Sequence, residues 1–107
     1  MAVDPHPAVQ RLLDAANGGD LNGFLATFTD DGVVDDWGRE FRGATEIRSW
    51  SDAEFIGREV NLTVQGVEEG KGETIIAAQV GGKGYTGPSH FAFRVEGDRV
   101  ARMTITG

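Results

Sequence analysis

The residues able to move a proton are few, and the sharpest of them sit together. Asp35 and Asp36 follow Val33-Val34 and precede Trp37-Gly38. Side chains alternate faces along a strand, so Val34 and Asp36 share one face and Val33 and Asp35 the other. With Val34 in a core, Asp36 points inward and Asp35 points to water. A carboxylate among Phe28, Trp37 and Trp50 is desolvated, which raises its pKa. That suits proton abstraction beside a carbonyl, or activation of a water. Asp36 is therefore the candidate general acid/base. Its structural alternatives are capping the Trp37-Gly38 turn or pairing with Arg39 or Arg42. Asp35 and Asp36 do not suit a metal, because they face opposite ways and no histidine lies close in sequence. Tyr85 follows a glycine loop and is a candidate donor near a pocket mouth. His90 faces outward if Phe91 and Phe93 face inward. His6, beside two prolines, is given no role.

The bulk composition narrows the functions that such residues can serve. The chain has 107 residues, which fits one domain spanning residues 1–107. Ten Lys+Arg against 17 Asp+Glu give a net charge of −7. Nucleic acid and anionic membrane surfaces are poor partners for that balance, since both need clustered positive charge. The absence of cysteine excludes a disulfide framework and a thiolate nucleophile, and fits a reducing cytoplasm. The polar start MAVDPHPAVQ has no apolar region of the signal-peptide kind. No apolar run approaches the ~18 residues of a membrane span.

The elements that must position these residues follow from periodicity. Asp4-Pro5 predicts a helix start, and Val9, Leu12, Leu13 and Ala16 form an apolar stripe. Asn17-Gly18-Gly19 stops that helix. Asp20 caps a second, with Leu21, Phe24, Leu25 and Phe28 at helical spacing. Residues 29–32 read as a turn, 33–36 as a short strand, and 40–42 as its return. A third helix runs from Ala44 to about Ile56, its core side Ile47, Trp50, Ala53 and Ile56, with Gly57 as its stop. From Glu59 the period becomes two. Gly66 marks a bulge, and 69–72 and 96–98 mark hairpin turns. The run 75–78 is too apolar for one wet face, so both faces of that strand should be covered, one of them by a partner subunit.

Helices first and a strand meander after them predict an α+β fold with an antiparallel sheet. A glycine-bent sheet wrapped over helices makes a cone with an open mouth, a natural small-molecule pocket. Its expected lining is Phe24, Phe28, Trp37, Trp50, Phe55, Tyr85, Phe91, Phe93, Met103 and Ile105.

Three stretches carry a family resemblance: F-T-D-D-G-V-V-D-D at 28–36, G-A-T-E-I-R-S-W at 43–50 and F-R-V-E-G-D-R-V at 93–100. In order and spacing they resemble the NTF2-like superfamily, in particular the SnoaL-like polyketide cyclases and ketosteroid isomerases. The resemblance implies three N-terminal helices on a strongly curved sheet, the cystatin-like cone. It also implies that Asp36 occupies the general-base position of ketosteroid isomerases. The oxyanion donors of those enzymes, a tyrosine and a protonated acid, fall here on Leu12 and Phe91, which cannot donate. Losing such donors removes what is often the largest catalytic contribution.

Two classes of function follow. One is an isomerase- or cyclase-type enzyme using Asp36 on an apolar carbonyl compound, with no cofactor implied. The other is a non-catalytic small-molecule binder, or a structural homodimer paired through the outer sheet face. An open cavity with Asp36 in its wall and no arginine partner favours the enzyme. A purely apolar cavity with Asp36 salt-bridged at the rim favours the binder.

Overall fold

The structure is a computed structural model that describes residues 4–107. Residues 1–3 of the polar N-terminal stretch lie outside the described residues. Helix α1 spans Pro7–Asn17 and begins later than Asp4-Pro5 predicts. The cap is His6, whose Nδ1 accepts from the Ala8 amide at 3.0 Å. Pro7 then takes the first helical position, where its missing N–H costs nothing. Val9, Leu12, Leu13 and Ala16 are all buried, as their spacing predicts. Helix α2, Leu21–Ala26, is capped by Asp20, which accepts from the Gly23 amide at 2.9 Å. It is too short to include Phe28.

Phe28 instead opens strand β1, Phe28–Asp36. Residues 29–32, read from sequence as a turn, are an irregularity inside this strand, where its pairing register shifts between Phe28 and Val33. Trp37 (φ 54°) and Gly38 (φ 91°) both take positive φ and join β1 to β2, Arg39–Arg42. Positive φ at both central residues is the type I′ hairpin, whose twist matches that of the flanking strands.

Helix α3 spans Gly43–Glu54, and a 3₁₀ turn follows at Ile56–Arg58. The helix stops two residues short of Ile56. At Gly57 a Cβ would lie 1.7 Å from the Asp52 carbonyl oxygen, so only glycine lets the chain fold back onto the helix end.

Strands β3 (Asn61–Gly70), β4 (Glu73–Gly81), β5 (Gly87–Glu96) and β6 (Arg99–Thr106) form the meander. The sheet order is β2-β1-β6-β5-β4-β3. Every pair is antiparallel except β1 with β6, which is parallel. The bulge expected at Gly66 is present between Val64 and Gly66. The outer edge of β3 is tied to α1 by Asn17, whose Oδ1 accepts from Leu62 N at 2.6 Å and whose Nδ2 donates to Leu62 O at 3.1 Å. A buried core joins the inner residues of the sheet, among them Val34, Ile76, Phe91, Phe93 and Met103, to α1, α2 and α3. Ile75 and Ala77 on the outer face stay partly exposed in the single chain.

Candidate functional site

A cavity of about 490 Å³ opens at one end of the sheet. Its walls come from three places. The end of α3 and the 3₁₀ turn give Trp50, Ala53, Glu54, Phe55 and Arg58. The end of β1 gives Asp36 and the turn after it Trp37. Val60 just before β3, strands β4–β6 and the β4–β5 loop give the rest: Val60, Val80, Gly81, Lys83, Gly84, Tyr85, Ser89, Phe91 and Ile105. The volume falls within the ~300–1,000 Å³ usual for small-molecule pockets.

Asp36 lies in this wall with 15% of its side chain exposed. It is not the lone desolvated carboxylate expected from sequence. Its Oδ2 accepts from Arg39 Nη2 at 2.5 Å and from Trp50 Nε1 at 3.1 Å. Among the described residues nothing donates to Oδ1. Arg39 also grips Glu54 through two bonds, Nη1 to Oε2 at 3.0 Å and Nη2 to Oε1 at 2.7 Å. Its guanidinium lies 5.6 Å from the centre of the Phe41 ring, which adds a cation–π contact. One arginine therefore bridges a strand carboxylate and a helix carboxylate at the cavity rim.

The Arg39 hydrogen bonds hold the Glu54 carboxyl below its usual range, against the opposing effect of burial, and the charges of Arg39 and Arg58 help. The same bonds, from Glu54 first and Asp36 second, raise the Arg39 guanidinium. A depressed carboxylate contributes stability above its unfolded pKa and loses it as pH falls. Glu54 is 44% exposed, so solvent screens much of the gain. Urea midpoints of the wild type are thus expected to fall as pH drops through about 4.5, the ordinary value. The Arg39→Gln variant should show a flatter acid limb. Parallel acid limbs would mean that the bridge does not form.

Asp35 departs from expectation as well. It faces the outer side of the sheet but is not free in water. Its Oδ2 accepts from Arg102 at 2.7 Å, and its Oδ1 accepts from the Gly38 amide at 2.7 Å. The cap of the Trp37-Gly38 turn is therefore Asp35 rather than Asp36. Arg102 also reaches Glu40 at 2.7 Å. Trp37 is 63% exposed, and its ring packs closely over Gly107. A bulky residue at positive φ costs about 1–3 kcal/mol and is held there by its surroundings. The Tyr85 hydroxyl donates to Pro88 O at 2.9 Å and Ser89 Oγ donates to Thr106 O at 2.8 Å, so both are already engaged.

Of the residues expected to line the pocket, Asp36, Trp37, Trp50, Phe55, Tyr85, Phe91 and Ile105 come together in the wall. Phe24, Phe28, Phe93 and Met103 do not. Alternation puts Phe93 and Met103 on the inner face, but α1 and α2 cover that end of the sheet, and Phe24, Phe93 and Met103 are fully buried. Phe28 packs edge-on against Phe24 with ring centres 5.3 Å apart. Ala53, expected in the core, lines the cavity instead. His90 points outward, between Ala77 of β4 and Thr106 of β6. Glu54, Arg58, Lys83 and Ser89 were not singled out. A signal existed for Glu54 alone, four residues after Trp50 and thus on the same helix face. Among the described residues no cluster of acidic or histidine side chains could hold a metal ion.

The comparisons with known proteins agree with this geometry. Residues 9–103 match the SnoaL-like domain. A proposed polyketide cyclase from Sinorhizobium meliloti superposes with a TM-score of 0.84 at 24% identity, covering 92% of this chain and 93% of that one. A hypothetical protein with a ketosteroid isomerase-like fold from Catenulispora acidiphila, in complex with trimethylamine, gives 0.81 at 22% identity, covering 97% and 87%. A computationally designed 17-OHP binder gives 0.80 at 17% identity, covering 98% and 92%. No curated protein matches. At these identities the structural likeness establishes the fold, which is the NTF2-like, cystatin-like arrangement of three helices on a curved sheet. With the family match running through nearly all of its length, the chain belongs to the SnoaL-like domain family.

Proposed function

We propose that this single 1–107 domain is a small-molecule enzyme in which Asp36 acts as general base on an apolar carbonyl compound held in the cavity. One observation carries the reading. Asp36 stands in the cavity wall with Oδ2 fixed by Arg39 and Trp50 and with Oδ1 free of any donor among the described residues. A carboxylate so held is oriented by one oxygen and accepts a proton with the other. The C–H bond beside the carbonyl breaks, its proton goes to Oδ1, and its electron pair enters the enolate. Small-molecule occupancy elsewhere in the fold supports the reading: the Catenulispora protein holds trimethylamine and the designed protein binds 17-OHP.

The Arg39 contact does not meet the condition set from the sequence for the enzyme, an Asp36 without an arginine partner, and it favours a second reading, a binder without catalysis. Asp36 is already ion-paired with Arg39, and with the Tyr85 hydroxyl engaged the enolate oxygen has no free neutral hydroxyl donor from Tyr85. Exchange of the α-protons of 2-tetralone in D₂O separates the two. The enzyme accelerates exchange and the Asp36→Asn variant does not; a binder leaves exchange at the buffer rate.

The homodimer belongs to the same proposal. Ile75 and Ala77 of β4 and Ala92 of β5 are partly exposed small or apolar residues on the outer face. Sedimentation equilibrium at micromolar concentration is expected to give twice the 11.5 kDa chain mass. A lone monomer would exclude the pairing. We place the protein in the cytoplasm, away from membranes and nucleic acid, on its net charge of −7 and lack of cysteine. No helix among the described residues is long and apolar enough to cross a membrane.

A further inference from the structure

We propose that Arg58 forms an anion subsite at the cavity mouth, so that the ligand is an apolar molecule ending in a carboxylate. The inference rests on the cavity being a small-molecule site and does not need Asp36 to be a base.

The argument begins with how Arg58 is held. It closes the 3₁₀ turn Ile56–Arg58, and the glycine-rich β4–β5 loop lies directly against it. Gly82 has φ 122°, and a Cβ there would sit 2.6 Å from Glu59 O and 3.0 Å from Arg58 O. A Cβ on Gly84 would meet the Arg58 stem at 3.3 Å. The Lys83 amide donates to Arg58 O at 2.8 Å. Loop and turn are thus in backbone contact, which fixes the base of the side chain. The far end is fixed as well, because Nε donates to Ala53 O at 3.0 Å.

What remains is the fork. Among the described residues, neither Nη of Arg58 has a hydrogen-bond or ion-pair partner. The other charges facing the cavity are matched. Asp36 and Glu54 share Arg39, and Lys83 Nζ pairs with Glu59 at 2.5 Å. Glu54 feels the Arg58 charge but has both oxygens on Arg39. Arg58 therefore brings an unspent positive charge and two parallel donors to the mouth of a cavity lined with Trp50, Phe55 and Phe91. A guanidinium held this way suits a planar carboxylate, which it meets through two bonds at once.

Isothermal titration of the full chain with 2-naphthoate and 2-naphthamide tests this. The two probes share an apolar body and differ in charge. The wild type is expected to bind naphthoate about tenfold more tightly, a preference that shrinks as salt screens the exposed guanidinium. Arg58→Met should keep naphthamide affinity and abolish the preference. Arg58→Lys should keep part of it, and Lys71→Met, in the β3–β4 turn away from the cavity, all of it. Equal binding by the wild type, or a preference that survives in Arg58→Met, overturns the subsite and leaves the cavity reading standing. Failure of both probes to bind overturns the two together.

Discussion

Asp36→Asn is expected to lower α-proton exchange by about 10²–10⁴-fold, the range a positioned acid or base contributes. That corresponds to about 3–5 kcal/mol of barrier. The substitution is nearly isosteric. The amide oxygen can still accept from Trp50 Nε1 and Arg39, so the wall keeps its shape. What disappears is the basic lone pair. The fold should hardly respond, because Arg39 is half exposed and such ion pairs contribute little. Asp35→Asn is the matched control: its side chain faces the other side of the sheet and pairs with Arg102. It should cost some stability and leave exchange alone. Exchange surviving within a few-fold in Asp36→Asn, or falling equally in both variants, would end the case for a base at residue 36.

Phe93→Ala is expected to cost about 3–5 kcal/mol in urea unfolding, the usual penalty for deleting a buried aromatic. Phe93 is fully buried, stacks with Phe91 at 6.5 Å and lies between Thr74 of β4 and Met103 of β6. A domain of this size has only about 5–15 kcal/mol to lose, so the variant should be close to unfolding at physiological temperature. Tyr85→Ala, at an exposed loop position, should change stability by under about 1 kcal/mol. The contrast measures which end of the sheet is solid. A loss below about 1 kcal/mol at Phe93 would place that ring against open space and return it to the pocket wall.

Much of the architecture is legible in the chain because it rests on local rules. The stripe of Val9, Leu12, Leu13 and Ala16 fixes one face of α1, Asp20 starts α2, and Gly66 bends β3 where alternation breaks. Local rules fail where a competitor sits close by. Asp4 looks the better cap, but Pro7 and the His6 ring make the better geometry two residues on. Residues 29–32 have turn composition, yet the pairs that Phe28 and Val33 make with β6 on either side carry them through as an irregularity in a strand. The site is less legible for a different reason. Alternation says that Phe93 and Phe91 point inward, but not that helices cover one and a cavity adjoins the other. The Arg39–Glu54 contact joins positions 15 apart in sequence, and Arg58 is aimed by a loop 25 residues away; only tertiary packing supplies either.

The parallel pairing of β1 with β6 bears on how the protein is made. Val34 of the first strand has Met103 of the last as its neighbour, so β1 gains its second partner only after residue 103 has left the ribosome. Until then β1 has only the four-residue β2 beside it, and a lone hairpin is marginal in water. From the synthesis of Asp36 until residue 103 emerges, the nascent chain therefore carries an unpaired strand edge on β1. An unpaired edge is a template for pairing with another chain, so a ribosome stalled before residue 103 is expected to leave an aggregation-prone chain.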